Sequence, residues 1–224
     1  MAIARAEPSN EAATGLRRVQ VAVLAKAPIP GLAKTRLIPA LGARGAARLQ
    51  RQLTRRAVAT ALAAGLGRVT LWCAPDAQHR FFRALRRASG VGCLVQASGD
   101  LGERMHTAFR LHCKAGPLLL IGTDCPPLTP DHLRRAAQAL LAGHDAVFQP
   151  AEDGGYVLVG LREPQAALFR DMRWSTGSVM AETRARARAA HLALRELETL
   201  WDLDRPADLD RLPADQAARL GLPR

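Results

Sequence analysis

Lysine is nearly absent from this chain: of 32 basic residues in 224, only Lys26, Lys34 and Lys114 are lysines. Two of the three fall within one short stretch, so that stretch departs from the chain's general preference for arginine. Cysteine is sparse too. Cys73, Cys93, Cys113 and Cys125 show no C-x-x-C spacing, and no secretory segment accompanies them, so neither a zinc site nor a disulfide framework is indicated. A reducing cytoplasmic setting is expected. Aromatic residues are only 4% of the chain, with a single tyrosine. None interleaves with the arginines of 44–56 or 184–188, which leaves no stacking platform for single-stranded nucleic acid. There is no run of about 18 apolar residues to span a membrane. Residues 1–18 are polar and charged without an apolar h-region, and read as a loose, flexible tail in place of a signal peptide.

Several chemical signatures are missing as well. No G-x-x-x-x-G-K-[ST], G-x-G-x-x-G or G-x-S-x-G occurs, and the six histidines form no metal-spaced H-x-x-x-H pair. What remains is an ordinary globular composition, 48% apolar and 23% charged, with a net charge of +12. That charge fits nucleic acid, an anionic surface or a phosphorylated small substrate. With most arginines scattered along alanine-rich helical patterns, a solvated cationic face is the simpler account.

Short apolar, partly β-branched runs at Val19–Ala25, Val69–Cys73, Val91–Gln96 and Leu118–Gly122 predict buried strands. Helical patterns at Ala43–Ala64, His79–Ala88 and Leu101–Ala115 are long enough to be crossovers between them. Beyond a helix at Pro130–Ala142, two further strands at Ala146–Gln149 and Tyr156–Leu161 flank a turn-rich Pro150–Gly155. A helix near Ser178–Ala190, a weak strand at Leu192–Leu197 and a helix after Pro206 follow. The expected fold is α/β, a mixed but mostly parallel sheet flanked by helices, with residues 19–224 forming one domain.

The stretch holding the two lysines is Lys26-Ala-Pro-Ile-Pro30-Gly31-Leu-Ala-Lys34-Thr35-Arg36-Leu37, directly after the first strand. Ligands of open α/β sheets sit beyond the carboxyl ends of strands. Two point-charge ammoniums and a planar guanidinium there suit the oxygens of a di- or triphosphate. Gly31 is the only glycine in the loop, so side-chain cations would neutralise more charge than backbone amides.

Asp124 follows the fourth strand in Gly122-Thr123-Asp124-Cys125-Pro126 and suits Mg²⁺, which takes one or two carboxylates plus water and phosphate oxygens. It equally suits a loop cap. Alternate spacing in Trp201-Asp202-Leu203-Asp204 puts Asp202 and Asp204 on one side, and one of them would complete a metal site with Asp124. Helix capping competes at Asp204 and more strongly at Asp208. Gly99-Asp100-Leu-Gly-Glu103-Arg104 has capping spacing, with Arg104 in reach of phosphate. Glu152-Asp153-Gly154-Gly155-Tyr156 combines carboxylates with glycines that leave room for a ligand. Trp174-Ser175-Thr176-Gly177 resembles the onset of a helix.

Taken in chain order from about Val19 to Leu212, these six motifs resemble the DUF2064 family of glycosyltransferase-A-like proteins, also called radical-SAM/selenodomain-associated transferase 1. The first loop is also similar to that of 2-phospho-lactate guanylyltransferases. The resemblance implies a nucleotide-diphospho-sugar transferase fold, with nucleotide near the first loop and Mg²⁺, or alternatively Mn²⁺, between Asp124 and Asp204. Lys26, Pro30, Gly31, Lys34, Thr35, Arg36, Gly99, Asp100, Arg104 and Thr123 are then expected to face the nucleotide. Asp153, Gly154, Gly155, Tyr156, Trp174, Ser175 and Thr176 are expected to face the acceptor, with Lys26, Lys34, Arg36 and Asp153 acting in catalysis. Two departures stand out: Lys26–Arg36 replaces a glycine-rich loop, and Cys125 stands where a small polar residue is expected.

The expected activity is metal-dependent nucleotidyl transfer from a nucleoside triphosphate to a phosphorylated or hydroxyl acceptor, releasing pyrophosphate. The alternative is glycosyl transfer from a nucleotide-diphosphate sugar, disfavoured because Thr123-Asp124-Cys125 offers one acid where D-x-D is usual. A nucleic-acid-binding module rests on charge alone. The expected partners are a nucleotide and a small-molecule acceptor.

Overall fold

The computed structural model describes residues 14–222, so residues 1–13 of the expected N-terminal tail lie outside the described residues. Residues 14–16 make a helical turn, and Leu16 packs against the core.

The strands are β1 (Gln20–Lys26), β2 (Val69–Ala74), β3 (Gly92–Val95), β4 (Leu118–Ile121), β5 (Ala146–Pro150), β6 (Tyr156–Leu161) and β7 (Leu194–Glu196). They form one sheet in the order β3-β2-β1-β4-β6-β5-β7. All pairings are parallel except those of β6, which runs antiparallel to both β4 and β5. The helices are α1 (Ile38–Ala63), α2 (Arg80–Ser89), α3 (Leu101–His112), α4 (Pro130–Leu141), α5 (Val179–Ala189) and α6 (Ala214–Arg219). The mixed, mostly parallel sheet flanked by helices is thus as expected.

Because β1, β2, β4, β5 and β6 are mostly apolar and buried, the sheet is covered on both faces except along its exposed edge strand β3. On one side Val21, Val23, Leu71, Leu119 and Ile121 pack against Val58 of α1, Phe82 of α2 and Leu133 of α4. On the other, Ala22, Leu120, Phe148 and Val159 meet Met105 and Phe109 of α3 and Met180 of α5. A third cluster joins Leu37 and Leu49 to Leu203, Leu212 and Leu220, fastening the end of the first loop to the C-terminal segment.

Two expectations change at the ends of elements. α1 begins at Ile38 and not at Ala43, passing a break at Gly42 (φ 67°, ψ 163°) that glycine tolerates and side chains resist. The helix expected after Pro206 is a 3₁₀ segment, Pro206–Arg211, followed by α6. The turn-rich Pro150–Gly155 does close a hairpin, placing β6 between β4 and β5.

That insertion needs a residue without a side chain. Gly160 pairs with Leu119 on one side and Val147 on the other. A Cβ there would lie 2.5 Å from Leu119 Cδ2 and from Val147 Cγ1, and 3.1 Å from Leu140 Cδ1. Gly160→Ala is expected to destabilise the fold by about 1–3 kcal/mol through overpacking, read as a lowered urea midpoint at unchanged slope.

With β2 and β3 on one side of β1 and β4 on the other, chain connectivity reverses between β1 and β4. The loops leaving their carboxyl ends, 27–37 and 122–129, border the crevice where open sheets take ligands.

Candidate functional site

The first loop is nailed down by apolar anchors, Ala33 and Leu37, at 1% and 0% exposure, while Pro30, Gly31, Thr35 and Arg36 between and beside them are exposed. Between the anchors Lys34 adopts left-handed backbone geometry (φ 49°, ψ 47°), unusual for a residue with a side chain. This turn sends its side chain inward. Lys34 is only 3% exposed at the side chain, with Nζ 3.0 Å from Asp124 Oδ1 and 3.9 Å from Asp204 Oδ1. Nζ also donates to the Leu203 carbonyl. Arg36 donates from Nη1 to Asp204 Oδ2. Lys26 is exposed at the end of β1, with no ion pair among the described residues.

Asp124 is held from three directions. The Thr123 hydroxyl donates to its Oδ1 at 2.9 Å, and Gln50 Nε2, from buried α1, donates to that hydroxyl at 3.2 Å. Leu203 N–H donates to the Asp124 carbonyl at 2.7 Å, docking the Asp202–Asp204 segment alongside. Asp204 is not the cap: the Asp208 carboxylate accepts from the backbone N–H groups of Asp204 and Arg205, at 2.9 and 2.7 Å. That leaves the Asp204 side chain to Arg36 and Lys34.

Asp202 reports the field of the cluster. Desolvation first, then the charges of Asp153, Asp124 and Asp204, push its carboxyl up to about 6 from an ordinary 3.8, with Lys34 pulling the other way. Asp124, Asp202 and Asp204 thus lie near one buried ammonium, with Asp153 close enough for its charge to act on Asp202. Among the described residues no three His, Cys, Asp or Glu side chains are already placed to hold a metal ion together. The set matches Mg²⁺ or Mn²⁺ taken on one or two carboxylates with the remaining positions filled by water and phosphate oxygen.

Proton uptake by Asp202 links folding to pH. Between about pH 4 and 6 the folded chain keeps a proton that the unfolded chain has released, so stability from this group is full below pH ~4 and lost as pH rises through ~6. Asp202→Asn is expected to flatten that decline in urea midpoints measured on metal-free protein. An unchanged slope would place the source elsewhere.

The segments expected on the acceptor side meet each other. Gly154 (φ 87°) lies so close to Gly177 that a Cβ would fall 2.1 Å from its carbonyl oxygen, and Met180 N–H donates to the Gly154 carbonyl at 2.8 Å. Tyr156 stands edge-on to Trp174, ring centroids 6.5 Å apart, and the exposed Asp153 accepts from Gly155 N–H at 2.9 Å. Ser175 has φ 62°, and Thr176 donates to the Arg173 carbonyl, while α5 starts only at Val179. Trp174 also reaches α3, since a Cβ on Gly102 would sit 2.9 Å from its ring. At the head of α3, Asp100 and Glu103 form a reciprocal capping box, and Arg104 Nε donates to the Gly99 carbonyl at 3.1 Å.

Two features escaped the sequence reading. Gln50 sits 73 positions from Thr123, and its only signal was a polar pair, Gln50 and Thr54, on an otherwise apolar helix face. The joining of Lys34 to Asp124 had no signal at all, because one was read as a phosphate ligand and the other as a metal ligand. Burial, the first cause, pushes the Cys125 thiol up to about 12, so it stands in the crevice loop as an uncharged thiol.

Comparison with known proteins adds the following. Residues 57–176 match the family model described as "Uncharacterized protein conserved in bacteria (DUF2064)", a span that ends short of both the first loop and the Asp202–Asp204 segment. A solved structure from Desulfovibrio desulfuricans G20, provisionally described as a nucleotide-diphospho-sugar transferase, is 27% identical with a TM-score of 0.76, covering 84% of this chain and 83% of its own. CMP:2-keto-3-deoxy-manno-octonic acid synthetase complexed with CTP is 14% identical at TM-score 0.56, covering 89% and 98%. Glucosyl-3-phosphoglycerate synthase from Mycobacterium tuberculosis, complexed with Mn²⁺, UDP and glucosyl-3-phosphoglycerate, is 13% identical at 0.52, covering 99% and 88%. The latter two bear on fold alone. A search of curated proteins returned no match. Together with the topology, these likenesses identify the glycosyltransferase-A-like fold of nucleotide-diphospho-sugar transferases.

Proposed function

This chain belongs to the DUF2064 family, and from that premise we propose that it is a transferase using a nucleotide and a divalent metal, Mg²⁺ or Mn²⁺, to act on a small phosphorylated or hydroxyl acceptor. The observation that carries the reading is the convergence of Lys34 and Arg36 with Asp124 and Asp204 at the crevice between β1 and β4. The solved relatives that carry CTP, or UDP with Mn²⁺, have the same fold and support it.

In this proposal Asp124 and Asp204 hold the metal. A bound divalent ion supplies charge neutralisation for phosphate oxygens. Lys26, exposed at the end of β1, and Arg36, exposed beside Asp204, neutralise phosphate at the crevice mouth, and Thr35, Gly31 and Pro30 border it. Gln50 and Thr123 fix the Asp124 carboxylate, so its oxygens need not reorganise when substrate arrives. Lys34 leaves Asp124 for the nearest phosphate oxygen while retaining the Leu203 carbonyl. Asp153, with Gly154, Gly155, Tyr156 and the Trp174–Thr176 turn, lines the acceptor side, and Gly99, Asp100 and Arg104 lie toward the nucleotide.

Nucleotidyl transfer is the favoured reaction. A hydroxyl or phosphate oxygen of the acceptor attacks the α-phosphorus, the new P–O bond forms as the bond to the β-phosphate bridging oxygen breaks, pyrophosphate leaves with that electron pair, and a hydroxyl acceptor's proton passes to water. Glycosyl transfer from a nucleotide-diphosphate sugar is the second reading, supported by the relative with UDP. Product analysis separates them. Pyrophosphate formed from a triphosphate in the presence of an acceptor pool supports the first; nucleoside diphosphate released from a nucleotide sugar supports the second.

A further inference from the structure

Between Leu16 and Gly99 the only acidic residue is Asp76, so α1 and α2 carry arginines without a single carboxylate. A cavity of about 420 Å³ opens between these two helices and α6, whose one carboxylate is Asp215. Its polar rim includes Arg55 and Arg56 of α1 and Arg219 of α6, and its apolar wall includes Leu62, Leu85 and Leu220. The volume is within the range of sites for small organic ligands.

The arginines are poorly neutralised. Neither Arg55 nor Arg56 has a carboxylate within ion-pair distance among the described residues, and Arg219 has only Asp215 at 3.7 Å. Arg56 donates from Nη2 to the Pro126 carbonyl, while its Nε is buried with no hydrogen-bond partner. A guanidinium held against the wall with one neutral acceptor is a site of uncompensated positive charge, where an anion is stabilised more than in water. Leu62 adds an apolar side chain that is 43% exposed at the same cavity.

We propose that this cavity binds a small organic anion, a phosphate or carboxylate head on an apolar body, at a site separate from the crevice between β1 and β4. The head is held by the Arg55, Arg56 and Arg219 rim, and the body lies on Leu62, Leu85 and Leu220.

The test is calorimetric titration of the full chain with n-octyl phosphate, inorganic phosphate and n-octyl glucoside, all below micelle formation. Wild type is compared with Arg55→Glu, Leu62→Asp and Arg36→Glu, each checked for folding by circular dichroism. Octyl phosphate is expected to bind once per chain, at least about tenfold tighter than inorganic phosphate because several methylenes are buried. It should weaken about tenfold or more in both Arg55→Glu and Leu62→Asp and stay unchanged in Arg36→Glu. Three results overturn the proposal: absence of saturable binding, equal affinity for octyl glucoside, or binding that survives Arg55→Glu and Leu62→Asp but is lost in Arg36→Glu. The last would assign the anion to the crevice.

Discussion

Asp124→Asn is expected to lower turnover by on the order of 10²–10³ and to abolish tight Mn²⁺ binding. The substitution keeps the size of the side chain and an acceptor for the Thr123 hydroxyl, so loop geometry is preserved while the charge is lost. It also strips Lys34 of its partner at 3.0 Å, leaving a 3% exposed ammonium with the Leu203 carbonyl and with Asp204 at 3.9 Å. A modest loss of stability should accompany the loss of function, since a buried ammonium loses its nearest counter-charge. Electron paramagnetic resonance of free Mn²⁺ in titrations reads the first effect, and urea unfolding the second. Full Mn²⁺ affinity in the variant would remove Asp124 from the metal site.

Lys34→Met is expected to act with opposite signs on two ligands. In the metal-free chain the ammonium competes for the carboxylates a metal would take, so removing it should tighten binding of Mn²⁺ alone. A gain of about tenfold, ~1.4 kcal/mol, is reasonable against a Coulomb attraction of ~4 kcal/mol for a close pair near a protein surface. With a triphosphate present the same substitution removes a phosphate partner, and turnover should fall by about 10²–10³. Methionine fills the buried volume, and Asp124, 44% exposed at its side chain, is solvated once unpaired, so folding should survive. Parallel loss of both affinities would mean that Lys34 only holds the loop to the C-terminal segment.

Most of the sheet was legible because its strands are short apolar runs and its helices repeat apolar positions every three to four residues. The capping box at Asp100 and Glu103 was readable from spacing alone, a local rule acting within one turn. The place of β6 was not, since antiparallel insertion between β4 and β5 depends on Gly160 facing Leu119 and Val147 from distant segments. At the site, the first loop and Asp124 stood out by residue type. Their union did not, because the left-handed turn at Lys34 that buries its side chain leaves no mark in composition. The choice between Asp202 and Asp204 was likewise undetermined by alternation. In the structure Asp204 is engaged by Arg36 and Lys34, whereas the Asp202 carboxyl is pushed up, by burial first and then by the charges of Asp153, Asp124 and Asp204.

That the crevice between β1 and β4 takes a nucleotide together with a divalent metal is the central proposal. Titrating nucleoside triphosphates and nucleotide-diphosphate sugars into wild type and Asp124→Asn, with and without Mn²⁺, tests it most directly. Saturable binding of a nucleotide that requires Mn²⁺ and disappears in the variant is the predicted result. Nucleotide binding that is indifferent to both Mn²⁺ and Asp124, or absent for every nucleotide tried, would contradict it.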